Sequence, residues 1–220
     1  MSDRRIESVI WDFNGTILDD LDLVLRSVNP QLERQGLPPM TREEYRDVFG
    51  FPVQDYYRRL GFDFEKVSMT KLADDFFALY EPELGSCPLH SGVAEALDAL
   101  RKNGMRQFVL SAMEQGMLRR TLGGLGILEY FTAAYGLSHQ EADSKISRGR
   151  ELLSDFDIDP PEALMVGDTD HDAEVAAALG MSSVLVTTGH QSAERLRATG
   201  HPVLGSSAEL PAFAGGPTGR

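Results

Sequence analysis

Apolar positions along the chain follow two rhythms. Short apolar runs bounded by small or polar residues occur at 8–13, 107–112 ("QFVLSA"), 163–167 ("ALMVG") and 183–188 ("SVLVTT"), with weaker runs at 131–137 and 201–205. Runs of this length with no polar alternation are expected of strands buried on both faces. Between them the spacing lengthens to that of helices. In segment 91–104, Val93, Leu97 and Leu100 fall on one helical face, Lys102 lies in the last turn and Gly104 takes the position just past the end. The segment "AEVAAALG" stops in the same way at Gly180. Strands alternating with helices predict a parallel sheet covered on both faces, an α/β core of Rossmann-like type.

Residues 18–89 break this rhythm and contain no convincing strand. Leu21, Val24, Leu25, Val28 and Leu32 form a helical stripe, with Pro30 as a kink point. "TREE" at 41–44 is a capping box opening a second helix. Pro52 suits the first turn of a third, which Gly61 would end, and Phe76, Phe77 and Tyr80 lie on a fourth. The expected organisation is an α/β core over 1–17 and 90–220, interrupted by an all-helical insert over 18–89. The glycines of "GGLG" (123–126) do not follow a strand, so they fail as a dinucleotide fingerprint. The terminal "AGGPTGR" reads as a disordered tail.

Composition narrows the function classes. The chain has 220 residues, 42% of them hydrophobic, enough to bury a core, and no run of 18 apolar residues for a membrane span. A net charge of −13 argues against nucleic acid or an anionic membrane as partner. The single cysteine, Cys87, has no internal disulfide partner, and no Cys/His cluster has zinc spacing. The opening "MSDRRIESVI" lacks the pattern of a secretory signal, so a cytoplasmic location is expected.

The candidate chemistry gathers at the predicted strand ends, where open parallel sheets bind ligands. Strand one ends in Asp12, with Asn14 and Thr16 close by; strand two ends in Ser111; the next loop region supplies Lys145; the fourth strand ends in "GDTDHD", with Asp168 and Asp172 four apart. Taken singly these residues have plain explanations. An Asp after a strand is often a helix cap, Ser111 a turn residue and Lys145 a surface lysine. Asp170 and Asp172 favour a helix N-terminus, His171 reads as an exposed loop residue, and His90, His139, His190 and His201 have no paired spacing. Together they describe three carboxylates on converging loops, which repel one another unless a hard cation such as Mg²⁺ relieves them. A lysine and a hydroxyl beside that ion would complete a phosphate pocket.

This ordered set resembles the haloacid dehalogenase superfamily, mostly phosphatases, over nearly the whole chain. "DFNGT" matches the family's Asp-x-Asp-x-Thr strand end except at the second Asp. Ser111 in "FVLSA" matches its Ser/Thr motif, Lys145 its lysine, and "GDTDHD" (167–172) its Gly-Asp-x-x-x-Asp. The helical insert looks like the family's small cap, with "FGFP" (49–52) where phosphoglycolate-phosphatase-like members carry a substrate-facing loop. The resemblance implies a phosphatase acting on a small phosphorylated substrate through an aspartyl phosphate at Asp12. Mg²⁺ would be held by Asp12, the Asn14 carbonyl, Asp168 and Asp172. The phosphoryl oxygens would be held by Lys145, Ser111 and the region of Asn14, Gly15 and Ala112.

It also implies a handicap. The family's second Asp is its general acid and base, and Asn14 has that shape without the exchangeable proton. A weakly active or ligand-binding member, or a branch with another reaction such as phosphonate cleavage or phosphoryl transfer, is the alternative. Ala112 and Ile146 stand where relatives often carry Asn and Pro. Arg46, Arg58 and Arg59 are the helical-insert cations that would meet an anionic substrate, and Lys66 and Lys71 are its only lysines. A monomer or homodimer is expected.

Overall fold

The computed structural model describes residues 5–138 and 144–215, so the terminal residues 216–220 and His139 lie outside the described part. Six strands form one all-parallel sheet in the order β3-β2-β1-β4-β5-β6. They are β1 (Ser8–Trp11), β2 (Arg106–Glu114), β3 (Ala133–Leu137), β4 (Ala163–Gly167), β5 (Ser182–Val186) and β6 (Val203–Leu204). The weak runs at 131–137 and 201–205 therefore do carry strands. β1 lies between β2 and β4, with Ile10 level with Phe108 on one side and Met165 on the other. The strand order reverses at this centre, and a crevice opens there at the carboxyl ends.

The pleat sends alternate residues to opposite faces. Val9, Trp11, Val109, Val166 and Val184 join one core, while Ile10, Phe108, Leu110 and Met165 join a second. The second core is closed by α7 (Lys145–Asp155) and α8 (Asp170–Leu179). The first is covered by α5 (Val93–Lys102) and α6 (Gln115–Gly124). Two short helices, α9 (Ala193–Ala198) and α10 (Leu210–Gly215), finish the layers.

Four helices fill the stretch between β1 and α5: α1 (Leu21–Arg34), α2 (Arg42–Val48), α3 (Val53–Arg59) and α4 (Met69–Leu84). The capping box at Thr41 and Glu44 is formed. Pro52 is the residue just before α3 rather than part of its first turn, and α1 continues through Pro30 to Arg34. The α1 stripe of Leu21, Val24, Leu25, Val28 and Leu32 packs into the same apolar cluster as Val9 and Trp11. The helical layer and that face of the sheet thus share one continuous core, which sets the helices directly above the carboxyl end of β1.

Candidate active site

β1 stops at Trp11, and the Asp12 N–H donates to the Val166 carbonyl at 2.8 Å, keeping Asp12 level with the end of β4. The chain then turns sharply, with the Ile17 and Leu18 N–H groups both donating to Phe13 O and Gly15 at φ +75°. The left-handed conformation at Gly15 is one that a side chain would resist. This turn delivers the Thr16 hydroxyl to Asp168 Oδ1 at 2.7 Å. The other oxygen of Asp168 accepts the His190 N–H at 2.7 Å.

β4 ends at Gly167, where a Cβ would lie 2.2 Å from that of Asp172, so the first turn of α8 folds close over the strand end. Asp172 Oδ2 accepts the N–H groups of Asp168 at 3.1 Å and Thr169 at 3.0 Å, and the Thr169 hydroxyl at 2.8 Å. That leaves Asp172 Oδ1 for the ammonium of Lys145 at 2.6 Å. Lys145 is not a loop residue: it is the first residue of α7, whose N-cap is Ser144. Its ammonium also makes a close ion pair with Asp12 Oδ1. One oxygen each from Asp12, Asp168 and Asp172 lie within 4.8 Å of one another, all three residues buried.

The electrostatics follow from burial around this cluster. Burial, with Asp172 and Asp168 adding repulsion, pushes Asp12 up to about 8 against the pull of Lys145. Burial likewise raises Asp168 to about 6, against the pull of His190. Burial also opposes the charge on Asp172, but Lys145 and the Thr169 bonds outweigh it and hold that carboxyl low. For Lys145 burial opposes the charged form too, and Asp12 and Asp172 together overcome it, so the ammonium is held above its usual range.

A second polar layer lies behind the first. The Asn14 amide donates to Asp20 Oδ2 at 2.9 Å and to the Tyr80 hydroxyl at 2.7 Å, and that hydroxyl donates to Asp20 Oδ2 at 2.5 Å. Asp20 Oδ1 accepts the Gly15 N–H at 3.1 Å and lies 3.2 Å from His190 Nε2. His190 Nδ1 meets the Tyr45 hydroxyl at 3.2 Å. Burial would depress His190, but Asp20 above all, then Asp168 and Asp12, raise it to about 9. That balance favours the imidazolium, the form that can donate from both nitrogens. Burial would raise Asp20; His190, Tyr80 and Asn14 reverse that and hold it low.

Several expectations need correction. Ser111 does not end strand two: β2 runs on to Glu114, with an irregular register after Leu110, and the buried Ser111 Oγ accepts the Met113 N–H at 3.1 Å. Beyond Ser111 the strand alternates, with Ala112 exposed and Met113 buried in the first core. The Gly15 N–H is turned away from the cluster, to Asp20 and the Leu18 carbonyl. His171 sits in the first turn of α8, its ring 4.7 Å from that of Phe51. Arg46 points to the carbonyls of Gly189 at 2.7 Å and Thr188 at 2.8 Å, and Arg58 pairs with Asp55 at 2.5 Å.

Sequence reasoning set His190 aside and did not single out Tyr45 or Tyr80 as site groups. His190 had the signal that marked Asp12, a polar residue just past a strand end, but a lone histidine carried no spacing to raise it. A cavity of about 920 Å³ opens over the cluster, bordered below by Asp12, Ser111, Ala112, Lys145 and Asp172.

Comparison with known proteins agrees with this geometry. A family described as haloacid dehalogenase-like hydrolase matches residues 9–186. A tyrosine-protein kinase, PtkA, of Mycobacterium tuberculosis is 26% identical over 208 residues, covering 92% of this chain and 69% of its own. A phosphoglycolate phosphatase of Rhodobacter capsulatus is 23% identical over 192 residues, covering 84% and 85%. The crystal structure of a predicted phosphatase from Clostridium acetobutylicum shares the fold at a TM-score of 0.81 and 22% identity, covering 94% of this chain and 97% of that one.

Proposed function

This chain belongs to the haloacid dehalogenase-like hydrolase family, and from that premise we propose that it is a Mg²⁺-dependent phosphatase working through an aspartyl phosphate at Asp12. One observation carries the reading: Lys145 bridges Asp12 and Asp172 while Asp168 stands beside them, all at the carboxyl ends of β1 and β4.

The residues present fit a hard divalent ion. The donors are carboxylate oxygens within one ion's reach of each other, and burial leaves Asp12 and Asp168 reluctant to ionise without further positive charge. Asp12, Asp168 and Asp172 would hold the ion, with the Asn14 carbonyl as a further oxygen. When bound it would keep these carboxylates ionised and neutralise charge on the phosphoryl group.

The chain's own residues do the rest. The Lys145 ammonium and Ser111 hydroxyl hold phosphoryl oxygens, with the N–H beside Ala112 as a further donor. An Asp12 oxygen forms a bond to phosphorus as the ester P–O bond breaks; that electron pair leaves with the alcohol oxygen, which takes its proton from a water molecule. Water then forms a new P–O bond and gives up a proton to solvent as the aspartyl P–O bond breaks, and phosphate departs with the Asp12 carboxylate restored. Asn14, whose two amide hydrogens go to Asp20 and Tyr80, orients the attacking water through its Oδ1 without exchanging a proton. Losing that exchange typically costs about 10²–10⁴ in rate. The helical segment 18–89 serves as the cap that shields these steps from bulk water.

Turnover of a panel of phosphate monoesters with Mg²⁺, beside Asp12→Asn, tests the proposal. Wild type should hydrolyse at least one ester and trap fluoroberyllate at Asp12, and the variant should do neither. Full activity in Asp12→Asn would overturn it. A second reading, phosphoryl transfer to an acceptor other than water, is favoured by the Mycobacterium relative named as a kinase. Added alcohols that divert label from phosphate into new esters would support that reading.

A further inference from the structure

Away from its charged floor the cavity changes character. Tyr45 and Phe49 stack with ring centroids 5.0 Å apart, and Tyr56 meets Phe49 edge-on at 5.3 Å. On α4, Phe76 and Tyr80 stack at 5.0 Å. All five border the cavity. Large apolar side chains are also left exposed at its mouth: Phe51 at 38%, Val53 at 37% and Phe77 at 45%. Exposed apolar groups that cluster on one concave rim mark a binding surface rather than a packing error.

The charge on these walls points the same way. Beyond the floor and the Asp20–His190 pair, the lining carries Asp74 and Glu81 against Arg120, while Glu114 caps the Gly116 and Met117 N–H groups. Arg59 is exposed and does not border the cavity, and four further cations of the helical layer are committed elsewhere. Arg46 is held by backbone carbonyls, Arg58 by Asp55, Lys66 by Asp63 and Lys71 by Asp75. A substrate carrying a carboxylate or second phosphate beyond its reacting phosphoryl group would therefore meet a net acidic wall. The volume of about 920 Å³ is also far more than a two-carbon ester fills. It lies toward the upper end of pockets that enclose drug-sized ligands.

We propose that the substrate is a phosphate monoester of a neutral aromatic or arylmethyl alcohol. Its ring would lie between the Tyr45–Phe49 and Phe76–Tyr80 pairs, with its phosphoryl group on Lys145. This rests on the phosphatase reading above and adds the leaving group. Ring-on-ring packing of this kind adds attraction beyond the apolar area it covers. Small anionic hydroxy-acid phosphates would be disfavoured.

Calorimetric binding of non-hydrolysable phosphonates tests this without leaving-group acidity entering. With Mg²⁺ present, inorganic phosphate and methylphosphonate should bind comparably, benzylphosphonate about 10-fold tighter or more, and phosphonoacetate more weakly than methylphosphonate. Phe51→Ala and Phe77→Ala, both at exposed positions, should each cut the benzyl advantage about threefold and leave phosphate binding unchanged. If phosphate binds, and is lost in Lys145→Ala, yet the benzyl group adds nothing, this proposal falls while the phosphatase reading stands. If neither phosphate nor any phosphonate binds the wild-type protein, the phosphate pocket falls and this proposal with it.

Discussion

The amide of Asn14 donates to Asp20 at 2.9 Å, and both residues hydrogen-bond the Tyr80 hydroxyl. This relationship gives a physical account of an amide at a position where the motif resemblance calls for an acid. Asp20 is buried and ionised, held by His190, Tyr80 and the Gly15 N–H. A second carboxylate at position 14 would stand against it with no donor between them but the tyrosine. The amide is the isostere that satisfies Asp20, at the expense of proton exchange.

Asn14→Asp should therefore do two things at once. The new carboxyl, facing Asp20 in a buried site, should hold its proton to higher pH than an ordinary Asp, because two carboxylates this close resist double ionisation. A protonated acid beside the leaving oxygen is what alkyl phosphates require, so their turnover should rise by roughly 10²-fold. The same variant should melt lower than wild type, and the swap Asn14→Asp/Asp20→Asn should recover much of that loss. Rates across esters of graded leaving-group acidity, on samples checked by mass for deamidation of the Asn-Gly pair, decide the matter. No gain on alkyl esters would move the proton-carrying role to another group.

The pH dependence of the metal-free protein has a definite sign. Asp12 and Asp168 titrate at about 8 and about 6 in the fold, above the ordinary 3.8. Over the interval from about 4 to 8 the folded state therefore binds protons that the unfolded chain has released, so stability falls as pH rises. His190, raised from 6.5 to about 9, contributes stability that is full below 6.5 and lost through about 9, in the same direction. Asp20 and Asp172 are lowered, so their contribution is present above about 4 and does not change in this range. Tm without metal should decline from pH 5.5 to 8.5. Mg²⁺ must displace the protons on Asp12 and Asp168, so its affinity should strengthen with pH and the gap in Tm with and without the ion should widen. A gap that is constant or narrows with pH would contradict the shared carboxylate site.

Much of this was legible in the sequence because it depends on local pattern. Unbroken apolar runs gave the central strands, and the site floor could be assembled because Asp12 and Asp168 directly follow β1 and β4, Ser111 lies near the end of β2 and Lys145 opens the helix after β3. What was not legible depends on contacts between distant segments. Tyr80 reaches Asp20 across 60 residues and His190 reaches it across 170. Phe76, Phe77 and Tyr80 could be put on one helix, but which way they faced depended on how α4 packs on α1. Arg46 and Arg58 looked like anion ligands until their carbonyl and carboxylate partners were placed around them.

Gly189 supplies a test of close backbone approach. A Cβ there would lie 2.1 Å from Asp168 Oδ2 and 2.4 Å from the Gly15 carbonyl. Neither neighbour can yield without moving the acidic cluster or the turn after Asp12. Gly189→Ala should thus abolish Mg²⁺-dependent stabilisation and reduce turnover at least 100-fold. At Gly123 in α6 an added methyl group would have nothing within 4 Å, so Gly123→Ala should be neutral or stabilise by about 0.5–1 kcal/mol. Mg²⁺ titrations followed by melting separate the two. Intact metal binding in Gly189→Ala would show that the loop adjusts and that Asp168 is not held as tightly as its contacts suggest.

His190 is the cation of the second layer, and its removal should expose how far that layer supports the first. It lies between Asp20 Oδ1 and the Tyr45 hydroxyl, with its backbone N–H on Asp168. His190→Ala leaves the Asp20 charge buried without its counter-ion, a loss of the kind that costs about 3–5 kcal/mol. Removing the partner as well, in His190→Ala/Asp20→Asn, should restore part of that, because no orphaned charge remains. Urea unfolding of the four species at pH 7 gives the coupling directly. The coupling should shrink at pH 10, where His190 has lost its proton in the wild type as well and the pair no longer carries opposite charges. Equal destabilisation by His190→Ala at both pH values, with no recovery in the double variant, would mean that the imidazole fills space there and carries no charge for Asp20.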